Sequence, residues 1–278
     1  MDLFGFSVAG VETCLEVPSL RLVLDLGRCS PSAVTLPLAL LSHGHLDHMG
    51  AIALHAARRA LMHLGESVYV VPRAVAEDVE RLFNAAGALD GQVIPRKVVP
   101  LAPGESYAIG KGRFVRPFET FHRVPSQGYT VWERRQRLLA EFRGRTGPEL
   151  GELRRGGVQI EENYEVPLLS FTGDTRVEVL ERTPELARTE MLVVEASFLD
   201  ERVSVEEARS MGHIHLDELV ARADLLTQPA VVLTHFSARY TQAEIESLVQ
   251  RRALAALGER VRVLREGAPR APGAGLGG

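Results

Sequence analysis

Short apolar, β-branched runs separated by turn residues recur along this chain, at 20–26, 36–41, 67–71, 114–118, 166–171, 191–194 and 230–234. Each is short enough for a strand and predicts one that is half or fully buried. Between them, residues 50–64, 73–86, 215–226 and 242–257 carry helical patterns. Pro72, just ahead of the second, and Asp217, near the start of the third, fit helix-start chemistry. Strands come first and strand and helix mix later, which predicts an α/β chain of sheets covered by helices. No internal repeat is visible.

With 278 residues the chain can build one sizeable core or two small domains. Its 45% hydrophobic and 24% charged residues are ordinary for a globular protein. No run approaches the roughly 18–20 apolar residues of a membrane span, and the first residues lack the basic and apolar regions of a signal peptide. The expectation is a cytoplasmic protein with no membrane partner, in which Cys14 and Cys29 are free thiols.

A net charge of −4 gives no hint of a polyanionic partner from the chain as a whole. One stretch departs from that balance: residues 132–157 hold Arg134, Arg135, Arg137, Arg143, Arg145, Arg154 and Arg155 against Glu133, Glu141, Glu149 and Glu152. A solvated helix and loop would explain it, and so would a local basic arm that contacts phosphates. The Gly-, Pro- and Ala-rich end, residues 267–278, is predicted to be disordered.

The chemistry concentrates in LSHGHLDHMGAI, residues 41–52. His43, His45, Asp47 and His48 follow an apolar run directly, and burying such groups without partners would cost roughly 1–3 kcal/mol each. His43 and His45 are two apart, so on an extended segment their rings share a side. Imidazole and carboxylate at this spacing suit zinc, with manganese or iron as other occupants of such sites. Further candidates lie at the ends of later apolar runs: His122, Asp174 and His235. Together these make seven ligands, enough for two metals sharing one carboxylate at a separation of about 3.5–4 Å.

HxHxDH, a distant His, Gly-Asp-Thr and a final strand-end His resemble the metallo-β-lactamase superfamily. Thr120-Phe-His-Arg-Val-Pro-Ser-Gln-Gly-Tyr129, Glu195-Ala-Ser-Phe198, Gly212-His-Ile-His215 and Thr234-His-Phe-Ser-Ala-Arg-Tyr240 narrow the likeness. These stretches look like ribonuclease Z, the tRNA 3′-processing endonuclease, in its short form. Gly10-Val-Glu-Thr-Cys14 and Gly27-Arg-Cys29 fit the same form.

The resemblance implies an αβ/βα sandwich of two mixed sheets with helices on the outer faces, as a single domain over residues 1–266. It implies two Zn2+ per subunit, one held by His43, His45 and His122, the other by Asp47, His48 and His235, with Asp174 bridging. Asp25 would orient a ligand. Glu195 would hold His213 as the proton donor to the leaving sugar oxygen, and Asp47 would share in proton handling while it binds metal. Ser126 and Gln127 would shape the substrate pocket, and Arg239 would meet phosphate. His215 is expected to support the site without ligating, and His55 and His63 to be structural.

The implied substrate is precursor tRNA, and the implied assembly a homodimer in which an arm of one subunit serves the other's site. Here only 51 residues separate His122 from Asp174. That arm, residues 132–160 with Arg134, Arg135 and Arg137, is therefore short. A binuclear hydrolase of a small phosphodiester, thioester or lactone would need the same ligands. A metal-stabilised RNA-binding protein without catalysis would be expected to have lost one of them.

Overall fold

The computed structural model describes residues 1–264, so the expectation for residues 267–278 lies outside them. Fourteen strands are described: β1 Phe4–Ala9, β2 Glu12–Val17, β3 Leu22–Leu24, β4 Leu38–Leu40, β5 Ser67–Pro72, β6 Arg96–Leu101, β7 Tyr107–Gly110, β8 Arg113–Glu119, β9 Gln127–Leu138, β10 Glu161–Phe171, β11 Met191–Glu195, β12 Ala230–Thr234, β13 Phe236–Ser237 and β14 Val261–Val263. They form two seven-stranded sheets, ordered β13-β1-β2-β3-β4-β5-β6 and β14-β12-β11-β10-β9-β8-β7. Both are mixed, with parallel runs β3-β4-β5-β6 and β10-β11-β12-β14.

Period-two alternation explains why the central strands are apolar throughout. In β4, Leu38 and Leu40 enter the core between the sheets while Ala39 faces the helices outside. In β11, Met191 and Val193 face inward while Leu192 and Val194 face outward. A strand covered on both faces needs apolar residues on both. Helices Ile52–Leu61 and Ala76–Asp90 cover the first sheet. Leu216–Val220 and Gln242–Arg252 cover the second, giving the expected αβ/βα sandwich.

The predicted helix at 50–64 is instead a turn of helix over Leu46–Met49 followed by Ile52–Leu61. The third and fourth predicted helices are each broken in two.

Residues 132–157 are a helix and loop only in their second part. Their first part continues β9, which pairs with β10 from Tyr129↔Phe171 out to Leu138↔Glu161. The far end of this hairpin carries a small helix, Gly147–Arg155, begun by a capping box in which Glu149 accepts from the Thr146 N–H at 2.7 Å. The second strand also changes the charge balance, because Glu161, Glu162 and Glu165 join the four earlier glutamates. Across residues 132–165 seven arginines then meet seven glutamates. Arg137 donates to Glu162 at 2.7 Å, Arg135 to Glu133 at 2.6 Å, Arg134 lies 3.6 Å from Glu165, and Arg154 pairs with Glu161.

Candidate metal centre

The carboxyl ends of the parallel strands carry the chemistry, as expected where a packed sheet gives way to loops. Asp25 follows β3, His43–His48 follow β4, Asp174 follows β10, Glu195 ends β11, and His235 follows β12. His122 follows β8 from the second sheet. Its position is stitched to the Asp174 loop, because Thr175 Oγ1 accepts from the Phe121 N–H at 2.9 Å and Arg176 N–H reaches Phe121 O at 3.0 Å.

The loop bearing Asp47 and His48 is held by backbone. Leu26 N–H donates to His48 O at 2.6 Å, and Ala51 N–H donates to Leu26 O at 2.8 Å. Gly27 lies so close that a Cβ there would overlap the Asp47 carbonyl. Asp25 and His235 both occupy left-handed backbone, at φ +57° and +60°, a conformation uncommon for residues with a Cβ and concentrated at functional sites.

All seven predicted ligands converge. His43, His45, His122 and Asp174 form one group of donor atoms within 4.8 Å of one another, and Asp47, His48 and His235 form another. Between the groups, Asp174 Oδ2 lies 3.7 Å from His43 Nε2 and 3.3 Å from His48 Nε2, while its Oδ1 lies 3.3 Å from His235 Nε2. His43 Nε2 faces His45 Nδ1 at 2.9 Å, and His48 Nε2 faces His235 Nε2 at 3.1 Å.

The outward nitrogens already have partners. His48 Nδ1 donates to Asp25 at 2.6 Å and His122 Nδ1 to Gly212 O at 2.9 Å, while His43 Nδ1 faces Ser42 Oγ at 2.9 Å and His235 Nδ1 faces Ser197 Oγ at 3.0 Å. Lone pairs therefore point inward at one another, and the buried Asp174 Oδ1 has no hydrogen-bond partner. Facing lone pairs beside an orphaned carboxylate oxygen fit cations, and ligands fixed by their other nitrogen are a mark of metal sites.

The electrostatics differ from ring to ring. Burial holds His43 neutral, well below the ordinary imidazole range. Burial opposes charge on His48 too, but Asp174 and Asp25 outweigh it and push its pKa well up. Asp174 is also desolvated, yet His235 and His48 keep its carboxyl well below the usual range.

Beside the centre, His213 Nδ1 donates to Glu195 Oε1 at 3.0 Å. Glu195 is buried and accepts from Thr175 N–H, Ile214 N–H and Ser197 Oγ–H as well. Burial lowers the His213 pKa, but the Glu195 carboxylate overrides it and raises the value to about 9.

The other predicted residues divide. Ser126 is at the centre's edge, its strand segment bridged to His43 and its hydroxyl 2.7 Å from Thr120 Oγ1. Gln127 lies beneath the site: it is buried, and its amide donates to the Tyr129 hydroxyl, which donates to Leu41 O. Arg239 is exposed, its guanidinium 5.8 Å from the ring of Phe198, itself 6.2 Å from the His213 ring. Arg134, Arg135 and Arg137 are away from the centre, with Arg134 about 23 Å along β9 from Gln127 at ~3.3 Å per residue.

His215 caps helix Leu216–Val220, its Nδ1 accepting from Asp217 N–H at 3.2 Å and its Nε2 lying 3.2 Å from Asp200 O. His55 is clamped by Tyr69 and Ala33 in the core. Cys14 and Cys29 are free. The sequence reading assigned no role to Ser42, Ser197 or the Gly10 N–H that donates to Asp47 at 2.9 Å; nothing but adjacency to the motifs could have signalled them.

Comparison with known proteins gives this centre a context. A family model, the beta-lactamase superfamily domain, matches residues 27–236. Over 247 residues the chain is 39% identical to tRNase Z TRZ1 of Arabidopsis thaliana, covering 88% of this chain and 88% of that protein.

The chain belongs to the ribonuclease Z family.

Another family member, Ribonuclease Z of Thermobifida fusca, is 30% identical over 83% of this chain and 76% of its own length. The crystal structure of human tRNase Z, short form, superposes with a TM-score of 0.60 at 17% identity, over 96% of this chain and 97% of that one. YhfI of Bacillus subtilis, a metallo-beta-lactamase fold protein, superposes at 0.65 with 14% identity, over 96% and 97%. At those identities the superpositions show the fold alone. Within this ribonuclease Z-family chain, the histidines and aspartates above form clusters able to hold metal, and no helix among the described residues is long and apolar enough to cross a membrane.

Proposed function

We propose that this metal-dependent endoribonuclease cleaves the 3′ trailer from precursor tRNA and leaves a 3′-OH on the tRNA. The observation that carries the reading is His213, held by a buried carboxylate beside the seven-ligand centre. Family membership supports tRNA as the substrate.

His43, His45 and His122 would hold one Zn2+ and Asp47, His48 and His235 the other, with Asp174 reaching both; manganese or iron would suit the same donors. Such ions make a nucleophile from water near neutral pH and neutralise charge developing on the phosphate. The chain's own residues then do the rest. Water oxygen attacks phosphorus in line, the bond to the 3′-oxygen breaks, and the trailer keeps the phosphate. His213, protonated at neutral pH, gives its Nε2 proton to that leaving oxygen while Glu195 keeps the ring oriented through Nδ1. Asp47, fixed by the Gly10 N–H, assists in handling the proton lost by water. Ser126 bounds the pocket and Arg239 meets a phosphate at its mouth. The hairpin at 132–160 would serve as the tRNA grip, in a cytoplasmic homodimer.

The test is cleavage of a 3′-extended precursor tRNA by the zinc-loaded protein. His213→Ala is expected to lower kcat by about 10²–10⁴-fold with bound metal unchanged. Replacing Arg134, Arg135 and Arg137 with Ala is expected to raise KM. The electroneutral hairpin is what a second reading would cite: if tRNA stays intact while a small phosphodiester or thioester is hydrolysed, the centre stands and the substrate falls.

A further inference from the structure

Two buried serines stand between a carboxylate and a metal-facing imidazole, one on each sheet, in the same arrangement. On the first sheet, Asp25 Oδ1 accepts the Ser42 N–H at 2.7 Å, and Oδ2 accepts both Ser42 Oγ–H at 2.7 Å and His48 Nδ1–H at 2.6 Å. On the second, Glu195 Oε2 accepts Ser197 Oγ–H at 2.6 Å and Oε1 accepts His213 Nδ1–H at 3.0 Å. Each carboxylate thus holds one histidine directly and a second through a hydroxyl: His43 through Ser42, His235 through Ser197.

The polarity of each relay is forced. An ionised carboxylate can only accept, and a hydroxyl has one hydrogen to give. Ser42 and Ser197 spend that hydrogen on Asp25 and Glu195, so each turns an oxygen lone pair toward its histidine. His43 and His235 must then carry their own proton on Nδ1. That leaves Nε2 of both rings as a bare lone pair facing Asp174, at 3.7 Å from Oδ2 and 3.3 Å from Oδ1 respectively.

We infer that Ser42 and Ser197 are positioning residues that fix the ligating tautomer of His43 and His235, one relay for each metal. Glu195 therefore has two tasks: it orients the proton donor His213, and through Ser197 it sets the tautomer of a ligand. This inference rests on the metal-centre reading above but not on the choice of substrate.

The experiment uses 15N-labelled, zinc-loaded protein. Long-range proton–nitrogen correlation should show His43 and His235 protonated at Nδ1 and ligating through Nε2. Competition with a chromophoric chelator should then show that Ser197→Ala weakens one of two zinc ions by about 10–100-fold, the range found when a ligand loses its outer hydrogen-bond partner. Ser42→Ala should weaken the other, and Ser→Thr at either position should restore affinity. Glu195→Gln should weaken the same zinc as Ser197→Ala, and should have no further effect once Ser197 is Ala.

Wild-type affinity for both ions in both alanine variants, additive Glu195 and Ser197 effects, or an Nε2 proton on either ring would overturn the relay. A wild-type stoichiometry below two would instead overturn the metal-centre reading beneath it. The tautomer assignment needs no variant, so it decides the matter even if an alanine protein fails to fold.

Discussion

At the scale of single residues, Asp174 carries the most. Among the described residues it is the one carboxylate in contact with histidines of both groups, and one of its oxygens is buried without a hydrogen-bond partner. Asp174→Asn keeps the shape but removes the charge that draws a cation to each side. It is expected to lose at least one metal equivalent, by elemental analysis after dialysis, and the activity with it.

His55 gives a second prediction, independent of the centre. Burial lowers its pKa to about 4, so the folded protein resists a proton that the unfolded chain takes up near pH 6.5. The stability due to its neutral form is complete above about pH 6.5 and is lost as pH falls toward 4, by about 2 kcal/mol at pH 5. His55→Gln, which does not titrate, should remove that part of the slope in urea unfolding at pH 7 and pH 5. The converging residues were legible in two ways: His43, His45, Asp47 and His48 through the density of HxHxDH, and His122, Asp174 and His235 through their places at the ends of apolar runs. Ser42 and Ser197 were not, because a serine acquires such a role only from partners as distant as Asp25, 17 positions from Ser42, and His235, 38 from Ser197.

At the scale of elements, the strands between two packed layers were legible, since both faces must be apolar. The outer end of β9 was not. Beyond Trp132 it leaves the core, its residues alternate Glu, Arg and Gln, and no apolar face remains to set a period. The same departure makes the hairpin separable. Phe142 and Ile160 are buried near its tip, and Arg137 with Glu162 and Arg154 with Glu161 pair within it. Replacing residues 139–160 with a tight Asn-Gly turn should leave the thermal transition and zinc content intact and spare hydrolysis of a small phosphodiester. KM for precursor tRNA should rise at least tenfold. A truncated protein that still processes tRNA normally would remove the hairpin from recognition. Because arginine and glutamate balance, its share of binding should also depend only weakly on salt, in contrast to a basic arm that releases counterions.

At the scale of the whole molecule, the centre joins the sheets. Asp25 and His43 to His48 come from the first, and His122, Asp174, Glu195 and His235 from the second. A ligand that binds only the assembled sandwich stabilises it by mass action, about 2.7 kcal/mol at a hundredfold excess over Kd. For a chain of this length that is a rise in melting temperature of roughly 5–10 °C. Calorimetry with and without zinc should show it, and His48→Ala should abolish most of it.

The separation of His48 from His235 is 187 positions. On a ribosome adding about 5–20 residues per second, the first four ligands emerge on the order of 10–40 s before the last. Over that interval the strands of the second sheet are still being added, and the histidine-rich loop waits for the last of them to close over it. The centre is therefore a late product of synthesis: until the final third of the chain arrives, a metal ion would meet an incomplete set of donors.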